Sequence, residues 1–147
     1  MRSITLHHQY PQPPKRVWQL VTDFEALEMV MQGLIAFKEL PKGRIYEGQH
    51  LDVEVSLFGK LPWQPYSMTV VVCDDERMNF QSSEVGAGVK TWRHSLTVTD
   101  TETGGSCLTE TIEIDAGLLT RPFLMWARYL YNARHQPRER LLASENF

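Results

Sequence analysis

The sequence predicts an α+β fold: a seven-stranded antiparallel sheet curved around a long C-terminal helix, with one or two short helices after the first strand. Three observations carry this. Alternating apolar and polar runs recur at hairpin spacing from Leu34 to Asp115, which reads as a meander. From Leu119 onward, apolar residues return at steps of three and four along one stripe. A strand-like start, Ile4 to His8, leads at once into a proline-headed helical pattern. At 147 residues the chain is expected to form one domain, 1–147, with a sizeable core.

The elements follow in chain order. Ile4, Leu6 and His8 share one face of the first strand, with Thr5 and His7 on the other. Proline is tolerated in a first helical turn, where its missing N–H had no partner, so the helix can begin at Pro13-Pro14. Val17, Leu20, Val21 and Phe24 then recur at i, i+3, i+4, i+7. The run EALEMVMQG extends that helix or starts a second, ended by Gly33. LIAFKEL is a strand closed by Pro41-Lys42-Gly43. Leu51, Val53, Val55 and Leu57 alternate with Asp52, Glu54 and Ser56, and after KLPWQP the pattern resumes at Tyr66, Met68, Val70 and Val72. Asp74-Asp75 makes a turn. RMNFQSSE runs to Gly86-Ala87-Gly88, and TWRHSLTV and CLTETIEI flank a turn ending in Gly104-Gly105. Thr120 is positioned to cap the last helix, with Pro122 in its first turn. Its stripe is Leu119, Phe123, Trp126, Leu130, Ala133, Pro137 and Leu141. Pro137 removes a hydrogen bond and crowds the carbonyl four residues back, which predicts a kink or break near Ala133–Pro137. One apolar helix stripe needs a cover, and the sheet has one apolar face to offer. A sheet curved strongly around one helix leaves space between them.

Composition sets bounds. The net charge of -3 provides no field to attract nucleic acid. Five arginines after Leu118 read as a solvated helix face. Cys73 and Cys107 lie in strand-like segments without metal-type spacing, so a reducing cytoplasm is the simpler reading than a disulfide framework. The N-terminus has no apolar signal region, and no apolar run is long enough for stable membrane insertion.

The polar groups on the apolar faces are the informative ones. Trp92, His94, Leu96 and Val98 share one strand face; Leu108, Glu110, Ile112 and Ile114 share another. The opposite faces carry Arg93, Ser95, Thr97 and Thr109, Thr111, Glu113, which puts His94 and Glu110 inside. Hairpin pairing sets them opposite each other or one diagonal step apart. Measured from Phe123 at about 100° per residue, Arg134 lies about 20° from the stripe centre and points at the sheet. It is therefore expected to approach Glu110, because a buried carboxylate needs a partner or a proton. As a structural set, Arg134 pairs with Glu110 and His94 donates a further hydrogen bond. As a functional set, the three hold the polar end of an apolar ligand, and both can be true. Trp63, Trp92, Trp126, Tyr66, Phe80 and Met68 are read as core, several of them with Leu130 lining a cavity. His7, His8, His50 and His135 lack metal-binding spacing and are read as surface or strand-edge residues, so no metal site and no cofactor are expected. The glycines at 86 and 88 precede a strand rather than a helix, unlike a phosphate loop, and Ser82 and Ser83 form no nucleophile elbow. Arg128, Asn132 and His135 are read as a solvated helix face.

With these residues in view, LFGKLPWQ, VKTWRHSLTV, GGSCLTETIEID and YLYNARH resemble the SRPBCC superfamily, whose members have the helix-grip fold of pollen allergens and steroidogenic (START-like) lipid-transfer domains. The resemblance covers nearly the whole chain in element order and is strongest between Leu57 and His135. It is similar above all to the bacterial branch labelled polyketide cyclase/dehydrase or lipid-transport-like. It implies a hydrophobic tunnel between helix and sheet, and fold alone does not choose among the superfamily's functions. The leading expectation is a carrier or sensor of a small hydrophobic molecule. A cyclase- or dehydratase-type enzyme would use His94 as general base, with Glu110 or Arg134 stabilising developing charge. A protein-interaction module would show a large exposed apolar patch. Homodimerisation stays open.

Overall fold

The computed structural model describes residues 1–144. Strand β1 (Arg2–Tyr10) is followed by helices α1 (Pro14–Val21) and α2 (Phe24–Val30). Six strands come next: β2 (Ile35–Lys38), β3 (His50–Leu57), β4 (Gln64–Asp74), β5 (Asn79–Gly86), β6 (Val89–Asp100) and β7 (Ser106–Asp115). A short 3₁₀ turn at Gly117–Leu119 leads into α3 (Thr120–Ala133) and α4 (His135–Ala143). The seven strands form one antiparallel sheet in the order β1-β7-β6-β5-β4-β3-β2, so the first strand closes against the last. This is the helix-grip architecture: a curled sheet, short helices after the first strand, and the C-terminal helical segment in its grip.

Local chemistry accounts for the boundaries. Helix α1 starts at Pro14, and the Asp23 carboxylate accepts from the Ala26 N–H to cap α2. Register shifts between Val70 and Val72 and between Glu84 and Gly86 are bulges that bend the sheet. Gly86 sits at the second bulge with φ +131, and a Cβ there would lie 2.5 Å from the Pro65 carbonyl oxygen, so only glycine fits. Pro137 acts upstream of itself: the carbonyl its ring would crowd belongs to Ala133, the last residue of α3. The break falls at Arg134.

The interior has two apolar parts. One joins α1, α2 and Leu142 of α4 to the middle of the sheet through residues such as Val17, Phe24, Phe80 and Leu108. The other joins α3 to β1, β6 and β7 through Ala127, Leu130, Tyr131, Ile112 and Ile114. Three sequence expectations need correction here. Leu119 is exposed, because the 3₁₀ turn rotates it off the stripe that Ala127 and Tyr131 occupy instead. Thr120 does not cap from outside the helix; its hydroxyl accepts from the Ala116 N–H and donates to the Gly117 carbonyl, tying the 3₁₀ turn. Trp63 is 38% exposed rather than core, since it lies outside the strands in the β3–β4 connection, where Lys38 Nζ sits 4.3 Å from its ring centroid.

Candidate functional site

The sheet's curvature leaves a cavity of about 390 Å³ between the concave face, the short helices and α3. At one end its wall is Leu20, Ala26 and Val30 of the short helices. Across the sheet it is Val53, Tyr66, Met68, Phe80 and Trp92, and α3 closes it with Phe123, Trp126 and Leu130. His94, Arg134 and Arg138 also reach it; Glu110 does not line it.

Glu110 is the buried centre of one polar cluster. Strand β7 alternates strictly, and Glu110 points inward with Leu108, Ile112 and Ile114. In the β6–β7 register His94 faces Ile112, so Glu110 is its diagonal neighbour. His94 Nε2 lies 2.6 Å from Glu110 Oε2, and Arg138 Nη1 donates to Oε1 at 2.8 Å. Burial alone would raise the Glu110 pKa; the Arg138 charge and the His94 hydrogen bond outweigh it and hold the carboxyl well below its usual range. Burial likewise disfavours the Arg138 cation, and Glu110 overrides it, so the guanidinium stays charged. The ionised carboxylate accepts, so His94 donates from Nε2.

Arg138 is the residue that the sequence reading missed, and Arg134 is the one it put in that place. Both point at the sheet. Arg134, however, is one turn short of Glu110 and lies over the Tyr131 ring, its guanidinium carbon 4.2 Å from the centroid. It is 8% exposed, and its Nε is buried with no hydrogen-bond partner. Arg134 makes no ion pair among the described residues.

A second carboxylate also went unread. Phe80, Ser82 and Glu84 alternate onto the concave face of β5, and Glu84 reaches the cavity. Tyr66 donates its hydroxyl to Glu84 Oε1 at 2.7 Å, and Ser82 donates to Oε2 at 2.6 Å. Burial, with the Glu84 charge beside it, pushes the Tyr66 phenol well up, so it remains a neutral donor. Burial raises Tyr131 too, against the opposing charge of Arg134. The period-two pattern from Phe80 carried this signal.

The remaining histidines lie away from the cavity wall. His8, on edge strand β1, bonds Asn132 Oδ1 through Nε2 at 3.2 Å and stacks on His135 at 5.1 Å. Asn132 thus spends its side chain within the fold, and His135 further pairs with Glu139. Asp74 accepts from the Glu76 and Arg77 N–H groups as a turn residue, while Asp75 accepts from Trp18 Nε1 at 2.8 Å. Among the described residues no helix is long and apolar enough to cross a membrane.

A family model matches residues 8–142, and the chain belongs to that family, described as a domain of unknown function, DUF8410. No curated protein matches the chain significantly. Solved structures are similar over nearly the whole length. A Chromobacterium violaceum protein superposes with a TM-score of 0.78 at 14% identity, covering 99% of this chain and 100% of that one. A Thermus thermophilus protein gives 0.75 at 14% identity, covering 99% and 100%. The protein Ara h 8.0201 gives 0.74 at 12% identity, covering 96% and 97%. At such identities the likeness is one of fold, the helix grip.

Proposed function

We propose that this protein binds a small hydrophobic molecule in the cavity between its C-terminal helices and the sheet, as a carrier or sensor. The observation that carries the reading is the cavity of about 390 Å³, walled by aliphatic and aromatic side chains with a few polar groups converging on it. That size and lining fall in the range of ligand sites, about 300–1,000 Å³. Protein interiors are otherwise close-packed, and unfilled apolar space forfeits contacts that an apolar occupant restores. His94, Arg134, Trp92, Tyr66, Met68, Phe80, Trp126 and Leu130 would meet the ligand; Glu110 would act through His94. Two finer readings go with it: residues 1–147 act as one domain, and that domain belongs to the lipid-transport-like branch of the SRPBCC superfamily.

The test is saturable binding of a neutral apolar dye, N-phenyl-1-naphthylamine, with native mass spectrometry of the purified protein for a copurified occupant. Binding should disappear when the cavity is filled by Val53→Trp in a protein that retains its fold. A dye that does not bind, or that binds the filled variant equally well, counts against the reading.

A second reading has one observation in its favour. The 2.6 Å His94–Glu110 contact at the cavity edge is the arrangement that orients a general base, as a cyclase- or dehydratase-type enzyme requires. Turnover of a substrate that survives His94→Ala would sink it.

A further inference from the structure

We propose that the ligand carries a carboxylate and that Arg134 receives it. The inference rests on the cavity-binding reading above and narrows it to amphiphilic monocarboxylic acids.

The argument is an account of donors and acceptors. Both carboxylates near the cavity are already engaged. Each oxygen of Glu110 has a donor, from Arg138 and His94, and each oxygen of Glu84 has a donor, from Tyr66 and Ser82. Two strong donors on the same wall remain to be placed. The Arg134 side chain is buried and makes no hydrogen bond or ion pair among the described residues, and its Nε lacks a partner. Trp92 Nε1, on the same wall, is also buried and makes no hydrogen bond of good geometry, its ring stacked against Tyr131 with the phenol beside it. Guanidinium and indole N–H groups donate only. No acceptor of the protein engages the Arg134 guanidinium, and a buried donor left without a partner is costly.

Geometry specifies the kind of acceptor. Arg134 lies over the Tyr131 ring, 4.2 Å from its centroid, so stacking occupies one face of the guanidinium. Its N–H edges lie in the guanidinium plane, and that fork matches a carboxylate through two parallel hydrogen bonds. Charge decides against a phosphate. Arg134 and Arg138 offset Glu84 and Glu110, so the four charged groups at the site sum to zero. A carboxylate then adds one negative charge and a phosphate up to two. Glu84 is the opposing charge, and the Tyr66 and Ser82 hydroxyls hold it. The apolar wall provided by Phe123, Trp126 and Leu130 suits the remainder of such an acid.

The experiment displaces N-phenyl-1-naphthylamine from the full chain with dodecanoic acid, its methyl ester and dodecylamine, all below micellar concentrations. The ester keeps an acceptor carbonyl and loses the charge. We expect the acid to bind about tenfold or more tightly than the ester, as a charge-assisted pair would give, and the amine to bind most weakly. Arg134→Met should abolish the preference for the acid over the ester. Arg134→Lys keeps charge without the fork and should retain part of the preference; it serves as the readout if the Met variant does not fold. Equal affinity for acid and ester, or a folded Arg134→Met protein that still prefers the acid, overturns the proposal and leaves the cavity reading standing. The same holds if the dye binds and no acid displaces it. If the dye itself does not bind, both readings fall.

Discussion

Arg134 and Arg138 sit one helical turn apart, both buried, both aimed at the sheet, and in opposite circumstances. Arg138 ends on a carboxylate that His94 also reaches, and every charge there has its complement. Arg134 lies against an aromatic ring on the wall of an open space, with donors to spare. Burial does not distinguish the two. What does is the tally of hydrogen-bond partners: a closed set of groups holds the fold, and an open set waits for something else to close it.

The contrast can be broken by substitution. The largest effect is expected at Arg138→Met, which leaves the Glu110 charge buried with only His94. Chemical denaturation should show a loss of about 3–5 kcal/mol, and a loss under about 1 kcal/mol would mean the pair is not closed as described. Ile112→Ala removes fully buried packing next to Glu110 on the inward face of β7 and should cost about 2–5 kcal/mol. A much smaller cost would place Ile112 against free space. Acid comes next. Because the Glu110 pKa is lowered from 4.5 on folding, the ion pair's contribution is complete above that value and fades as pH falls below it. Thermal midpoints should therefore drop below about pH 4.5 in the native chain. Glu110→Gln should be less stable at neutral pH and should lack this component of the drop. The smallest effect on stability belongs to Arg134→Met, within about 1 kcal/mol, since no side-chain hydrogen bond or ion pair among the described residues ends on that guanidinium. A loss as large as that of Arg138→Met would erase the distinction between the two arginines.

Most of the fold was legible because its periodicities are strong. Period-two runs mark most of the strands, and the phase of β6 and β7 put His94 and Glu110 inside, because each opposite face is polar. The helix break was legible as well, from a proline four residues beyond the carbonyl it crowds. Which arginine meets Glu110 was not. Helix angle points Arg134 and Arg138 to the same side. The choice depends on how the helix crosses the sheet, which no local pattern encodes. Trp63 failed for a related reason: hydrophobicity alone assigned it to the core, while its place in a turn beyond the strand ends put it outside.

The break at Arg134 also separates what can vary from what cannot. Helix α4 is pinned by Arg138 to Glu110, and Arg16 donates to the Leu142 and Ser144 carbonyls. Helix α3 contributes Phe123, Trp126 and Leu130 to the cavity through apolar contact. Volume-conserving exchanges in that helix could reshape the cavity without disturbing the anchor beyond the break. A scaffold divided this way is suited to divergence, since selection can rework one wall of the chamber while the clasp that holds the fold stays the same.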